Sequence, residues 1–253
     1  MIEIVTPAKV NLCLDVLKRL PSGYHEIRTV FYPAYSLCDR VKISTTENPD
    51  HTSIVNNTTI HLPKMEYNLA HKALKLFKRE FKIKKNAQIL IDKNIPIASG
   101  LGGASSDAAA VLKGLNQLFG IGATSRALAE LGEQLGADVP FFIYEKPAIG
   151  TNLGEKIEII NTSLDLNIKI LPQDQWPSLP VSDLNYKTGQ MYAALDMSKT
   201  GRHLKHTEAL INALRTNNLE EVGTNIHNDF ETLTSPAKGL HLSGSGPAIF
   251  LLP

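Results

Sequence analysis

Residues Ile95-Pro-Ile-Ala-Ser-Gly-Leu-Gly-Gly-Ala-Ser-Ser-Asp107, which run directly into Ala108-Ala-Ala-Val-Leu-Lys-Gly-Leu115, decide how the rest of the chain is read. A glycine-rich turn, a pair of hydroxyls and the start of a helix fall together in this one segment. Such a turn presents successive backbone N–H groups to one point, and the helix behind it adds the positive end of its macrodipole. Glycines at 100, 102 and 103 allow positive φ and let a bulky anion approach the backbone. Ser105 and Ser106 add O–H donors, and Ser106 or Asp107 suits a helix N-cap. The segment therefore reads as a phosphate cradle over Ser99, Gly100, Leu101, Gly102, Gly103, Ala104, Ser105 and Ser106, with Pro96 at its entry.

Common phosphate-binding loops do not fit. No lysine follows the glycines, which excludes a P-loop. Gly100-Leu-Gly-Gly-Ala-Ser lacks the third glycine of a dinucleotide fingerprint. The His-Arg-Asp and Asp-Phe-Gly motifs of protein kinases are absent.

Outward from the cradle, Ala87–Asp92 reads as the strand that delivers the chain to it, and Ser106–119 as the helix that leaves it. A helical stripe over Asn68–Phe81 precedes that strand, and a helix over Ser125–Leu135 with Thr124 as N-cap follows. The amino-terminal part reads as strands: Met1–Val5 and Val10–Leu17 separated by Pro7, then His25–Tyr32 and Asp39–Ser44. Thr45–Asn57 is expected to be an exposed hairpin or loop. Beyond Phe141 the pattern gives short strands, helical stretches at 184–195 and 208–215, and two strands around a Gly-Ser-Gly turn in 240–252. Strands and helices mix without strict βαβ alternation, which favours α+β, and the natural division falls near Gly150–Glu155.

With 253 residues the chain is long enough for two modest domains. A net charge of +1 gives no support for a nucleic-acid partner, and no apolar run reaches membrane-spanning length. The first residues carry no secretory signal, which points to the cytoplasm. Cys13 and Cys38 make neither a disulfide framework nor a zinc site and read as two buried thiols.

Three further segments carry chemistry. Pro7-Ala-Lys-Val-Asn-Leu12 sets Lys9 and Asn11 two apart on a strand, so both project from one face. Gly136-Ala-Asp-Val-Pro-Phe-Phe142 places the Asp138 carboxylate at a helix end, and Ser243-Gly-Ser-Gly246 is a second glycine-rich turn. Together with Gly23-Tyr-His-Glu26, Asn68-Leu-Ala-His-Lys-Ala73 and Asn228-Asp-Phe-Glu231, these segments resemble those of the GHMP superfamily of small-molecule kinases. The Gly-Leu-Gly-Gly-x-Ser-Ser-Asp-Ala-Ala core is most similar to the branch that acts on a cytidine diphosphate-linked methylerythritol. Ala104 stands where that branch often has glycine, and Cys13 where it has a larger apolar residue.

The resemblance implies a two-domain α+β fold, with a ribosomal-protein-S5-like ATP-binding domain over 1–153. A ferredoxin-like domain over 154–253 would follow, shortened at its end. It implies ATP and Mg²⁺ as cofactors, and phosphorylation of the substrate's 2-hydroxyl in non-mevalonate isoprenoid (terpenoid) precursor synthesis. By the same resemblance, Asp138 is the base that takes the hydroxyl proton and Lys9 the cation beside it. Asn11, Tyr24, His25 and Asp138 bind the substrate, the tyrosine and histidine at the cytosine ring, while the cradle and Asn68 bind ATP. Ligands for Mg²⁺ and the oligomeric state are not implied. The alternatives are a kinase of this superfamily for another alcohol, of homoserine or mevalonate type, or a nucleotide-binding relative without activity.

Overall fold

The computed structural model describes residues 1–55, 68–183 and 186–252. The chain divides into two compact units, neither of them a single stretch. The first comprises Met1–Ala8, Leu37–Ile97 and Gly102–Glu145; the second comprises Lys9–Ser36, Ala98–Leu101 and Lys146–Pro253. Strands β1 (Ile2–Arg19) and β2 (His25–Thr46) each contribute to both.

In the first unit the strand order is β3-β4-β2-β1, with β3 at His51–Val55 and β4 at Asn86–Asp92. The second half of β2 runs antiparallel to β4 from Arg40↔Asp92 to Thr46↔Asn86, and β3 lies parallel to β4. Four helices complete the unit: α1 (Leu69–Glu80), α2 (Gly103–Leu118), α3 (Ser125–Glu133) and α4 (Val139–Tyr144). Helix α2 packs against α1 and α4. Its run Ala108-Ala-Ala-Val-Leu112 is buried throughout, as expected of a helix apolar on every side.

The second unit continues with β5 (Ala148–Asn152), β6 (Lys156–Ile159) and β7 (Lys169–Ile170), then α5 (Lys187–Ala194), α6 (Leu204–Arg215) and α7 (Leu219–Thr224). It ends with β8 (His227–Asn228), α8 (Glu231–Thr234), β9 (His241–Leu242) and β10 (Ile249–Leu251). The first half of β2 pairs with β5, and β5 with β6, while β8 runs parallel to β1 with Cys13 opposite His227. A separate sheet has the order β7-β10-β9. Leu14, Val16, Ile27, Met191, Leu195, Phe230, Leu242 and Ile249 form the core of this unit. Each such side chain contributes about 1.5–3 kcal/mol when fully buried.

The α+β reading holds, and the helices expected after Asn68 and Thr124 form where the periodicity places them. Five local expectations need correction. Pro7 does not break β1: over residues 2–8 this strand ends the order of its unit among the described residues, and an edge strand tolerates a proline. The two strands read from His25 to Ser44 are one continuous strand. The polar segment after Thr45 contains β3, whose residues pair with β4; residues 56 and 57 lie outside the described residues. Helix α2 starts at Gly103 rather than Ser106, with Gly102 in the left-handed region (φ 73°) as its N-cap, so neither Ser106 nor Asp107 caps it. Of the two thiols, Cys13 is buried but Cys38 only partly so.

Candidate active site

In the first unit the early start of α2 changes what the cradle offers. The first-turn N–H groups of a helix have no intrahelical partner, and no side chain caps this one. Ser106 is fully buried, and its hydroxyl donates to the Pro7 carbonyl at 2.7 Å and bonds the Thr6 hydroxyl at 2.7 Å. It fastens β1 to the helix and is not a donor toward a ligand. Ser105 is only half-buried and Ala104 exposed. A Cβ added at Gly136 would stand 3.8 Å from the Ser105 hydroxyl, so the loop bearing Asp138 runs beside the first turn of α2.

Asp138 is the N-cap residue of α4, yet its side chain makes no capping hydrogen bond. Pro140 pre-sets the first turn of this short helix, so the carboxylate is not required to start it. The group stays half-buried. Asn68 caps α1: its Oδ1 accepts from the N–H groups of Ala70 at 2.9 Å and His71 at 3.4 Å. Its NH₂ is the part of the side chain able to donate elsewhere.

Beneath the cradle lies a buried charge cluster that the sequence did not disclose. Lys93 bridges Asp39 and, at 2.9 Å, Asp107. The second oxygen of Asp39 accepts from the N–H groups of Asn94 at 2.6 Å and Ile95 at 2.8 Å, fixing the turn into Pro96. Burial pushes the Asp107 carboxyl up to about 7; Lys93 opposes that shift and Asp39 adds to it. Burial alone would lower Lys93, but Asp107 and Asp39 outweigh it and hold the ammonium above its ordinary range. Two carboxylates and one cation, all at most 4 % exposed, brace both ends of the loop.

In the second unit the strand motif meets the other half of the cradle and the carboxy-terminal turn. Lys9 and Asn11 are 3 % and 2 % exposed. Lys9 Nζ donates to Asn11 Oδ1 at 2.5 Å and lies 5.5 Å from the centre of the Phe31 ring. The Asn11 NH₂ donates to Thr29 Oγ1 at 2.7 Å, and that hydroxyl donates to the Cys13 carbonyl. Asn11 is thereby oriented to hold the lysine.

The Lys9 N–H donates to the Leu101 carbonyl at 2.9 Å, and the Ala248 N–H to the Ser99 carbonyl at 2.9 Å. The Ser243 hydroxyl lies within hydrogen-bond reach of the carbonyls of both Lys9 and Gly100. At Gly100, φ is +88° and a Cβ would fall 2.2 Å from the Ser243 carbonyl oxygen, so only glycine fits. Asn228 donates to the Leu242 and Gly244 carbonyls at 2.8 and 2.9 Å, and Lys187 to that of Gly246. Both residues hold the turn in shape. A Cβ at Gly244 would sit 3.1 Å from Lys9 Nζ.

Tyr24 and His25 differ in situation. Tyr24 is 66 % exposed, with ring faces open to a ligand. His25 is stacked on Tyr192 (centroids 4.8 Å apart, planes 17° from parallel), which meets Phe230 edge-on. One face of the imidazole is therefore occupied within the protein, and burial followed by the Arg19 charge lowers its pKa. Tyr192, Lys187, Lys93 and Asp39 carried no sequence signal of a role, because each acts through partners far away along the chain; Asn228 lay in a family-like segment, but its hold on the carboxy-terminal turn was not readable there.

Comparison with known proteins shows which family carries this arrangement. Residues 68–146 match the GHMP kinases N terminal domain. The fold matches homoserine kinase from Cytophaga hutchinsonii at a TM-score of 0.68 with 19% identity, over 98% of this chain and 84% of that one. A crystal structure of 4-(cytidine 5'-diphospho)-2C-methyl-D-erythritol kinase matches at TM-score 0.72 and 30% identity, over 99% of this chain and 90% of that one. The 4-diphosphocytidyl-2-C-methyl-D-erythritol kinase of Caldicellulosiruptor saccharolyticus is 37% identical over 96% of this chain and 85% of its own length. The enzyme of that name from Exiguobacterium sibiricum is 34% identical over 99% and 88%. The chain belongs to the 4-diphosphocytidyl-2-C-methyl-D-erythritol kinase family, within the GHMP kinases.

Proposed function

We propose that this chain transfers the γ-phosphoryl group of ATP to the 2-hydroxyl of 4-diphosphocytidyl-2-C-methyl-D-erythritol. The step would serve isoprenoid precursor synthesis in the cytoplasm. The observation that carries the reading is the uncapped start of α2 at Gly103, in a chain 37% identical to a kinase of this name. Residues 1–153 would serve as the ATP-binding domain and 154–253 as the carboxy-terminal domain.

Phosphoryl transfer asks mainly for positioning and charge stabilisation. The N–H groups of Gly102–Ser105, with Asn68, hold ATP, and Ser99–Leu101 and Pro96 shape the loop. Asp138 accepts the hydroxyl proton as the oxygen attacks phosphorus. Lys9, steadied by Asn11, supplies positive charge to that oxygen. Tyr24 stacks on the cytosine and His25 reads its edge. Mg²⁺ needs hard oxygen donors, and the half-buried Ser105 hydroxyl fits; the ion neutralises phosphate charge when bound with ATP.

Incubation of the purified chain with ATP-Mg²⁺ and separate acceptors, following ADP release, tests the reading. Turnover is expected with the cytidine diphosphate-linked substrate and not with homoserine or mevalonate. Turnover with either of those instead, or with none, replaces it.

A further inference from the structure

Two residues beyond Asn11 on β1, the second unit gathers a different set of donors. Cys13 and Asp15 lie two apart on one strand and so share a face. The parallel register sets His227 of β8 directly opposite Cys13. The thiol sulfur, a carboxylate oxygen and an imidazole nitrogen all lie within 4.8 Å of one another. Cys13 and Asp15 are fully buried and His227 partly so.

Three details define where a cation would fit in the cluster. Asp15 Oδ1 is buried and has no hydrogen-bond partner among the described residues. His227 Nδ1 stands 3.0 Å from the Asn225 carbonyl, which can only accept, so Nδ1 carries a hydrogen. In the neutral ring the lone pair is then on Nε2, which faces Asp15 Oδ2 at 3.2 Å. At that distance the carboxylate oxygen and the ring nitrogen share either a proton or a cation: burial opposes the imidazolium, but the Asp15 carboxylate outweighs it and raises the His227 pKa, so a metal ion would take the place of that proton. The separation also equals, within error, the edge of a tetrahedron whose metal–ligand bonds are about 2.0–2.1 Å.

We infer that Cys13, Asp15 and His227 form a binding site for Zn²⁺ or a similar borderline-soft divalent ion, which clamps β8 onto β1. The donor chemistry selects the ion: a thiolate and an imidazole favour zinc over magnesium or calcium. A hydrogen bond from the second imidazole nitrogen to a backbone carbonyl is the usual orienting partner of a metal-bound histidine. The hydroxyl of Thr207, from α6, donates to Asp15 Oδ2 at 2.5 Å and lies 3.3 Å from His227 Nε2, so it orients the carboxylate. The ring of His203 is centred 5.1 Å from that of His227 and is the next donor at hand. The spacing was invisible in sequence, since 212 residues separate Asp15 from His227.

Metal-free full-length protein titrated with Co²⁺ provides the test, because a thiolate ligand gives a charge-transfer band that histidines and carboxylates do not. The expected result is one equivalent bound with that band. In Cys13→Ala the band disappears, and affinity falls at least about tenfold in Cys13→Ala and in the isosteric Asp15→Asn. Zn²⁺ should displace Co²⁺ and raise the melting temperature of the wild type but not of either variant. Binding without the band, or unchanged affinity in Cys13→Ala together with its loss in the His203→Ala/His206→Ala double variant, would assign the ion to the surface imidazoles and overturn the inference. Absence of stoichiometric binding by a folded wild type overturns it equally.

Discussion

The two units hold their glycine-rich turns by opposite means. In the first, the loop into α2 rests on buried charge: Lys93 between Asp39 and Asp107. In the second, the turn at Ser243–Gly246 rests mainly on neutral hydrogen bonds from Asn228 and Ser243 to backbone carbonyls, joined by the charged donor Lys187. A buried ion cluster fails steeply when one member is lost, because the remaining charge is left uncompensated. A neutral network loses only the desolvated groups it exposes. The first arrangement makes the loop rigid and pH-sensitive, and the second makes the turn tolerant.

The largest effect belongs to chemistry rather than scaffolding. Asp138→Asn should lower kcat by about 10²–10⁴-fold while leaving ATP affinity by calorimetry nearly unchanged. Its side chain makes no capping bond, so the start of α4 should hold. Near-native kcat would remove Asp138 from the reaction. Next comes the charge cluster: Lys93→Met leaves two buried carboxylates facing each other and should cost about 3–5 kcal/mol in chemical denaturation. A loss under ~1 kcal/mol would show that the contrast between the units is not energetic.

The pH dependence sharpens the same point. A carboxyl whose folded pKa, about 7, exceeds its reference value of 3.8 holds its proton more tightly in the folded chain. Asp107 therefore lowers stability progressively as pH rises between those values. The stability difference between Asp107→Asn and wild type should grow in favour of the variant from pH 4 to pH 7.5. A difference that does not change with pH would mean that Asp107 is ionised throughout. On the neutral side, Asn228→Ala should cost only about 1–3 kcal/mol, and raise KM without unfolding the second unit. Tyr24→Ala removes one stacking face, worth about 1–3 kcal/mol per base, so KM for the cytidine substrate should rise five- to 150-fold. KM for ATP should not move; if it moves instead, donor and acceptor sites have been exchanged.

Local signals were legible in sequence, and long-range partnerships were not. Asn68 and Thr124 were readable as helix starts because a cap needs only its own next few residues. The start of α2 was misread because Ser106 has the side chain of a cap, yet its hydroxyl is drawn to Pro7, 99 residues earlier. Pro7 suggested a break because the edge position of β1 depends on which strands lie beside it, and the sequence does not say. The motif residues Lys9, Asn11, Gly100 and Gly102 stood out by residue type and spacing. Lys93, an ordinary lysine after a strand, acquires its meaning only from Asp39 and Asp107.

The interleaving of the units along the chain has a practical consequence for dissection. A fragment ending near residue 153 would contain every residue of the first unit, but would also carry the parts of β1 and β2 that belong to the second. Cys13 and Leu14 would then lack their neighbours on β8, and an apolar strand edge would lie open to self-association. The complementary fragment would keep the β7-β10-β9 sheet but lose β1, β2 and β5, beside which β6 and β8 pair. On a ribosome, Lys9–Ser36 emerges first yet must wait for the last hundred residues before its unit can close. The protein is therefore one folding transaction, in which the earliest strand is among the last to be completed.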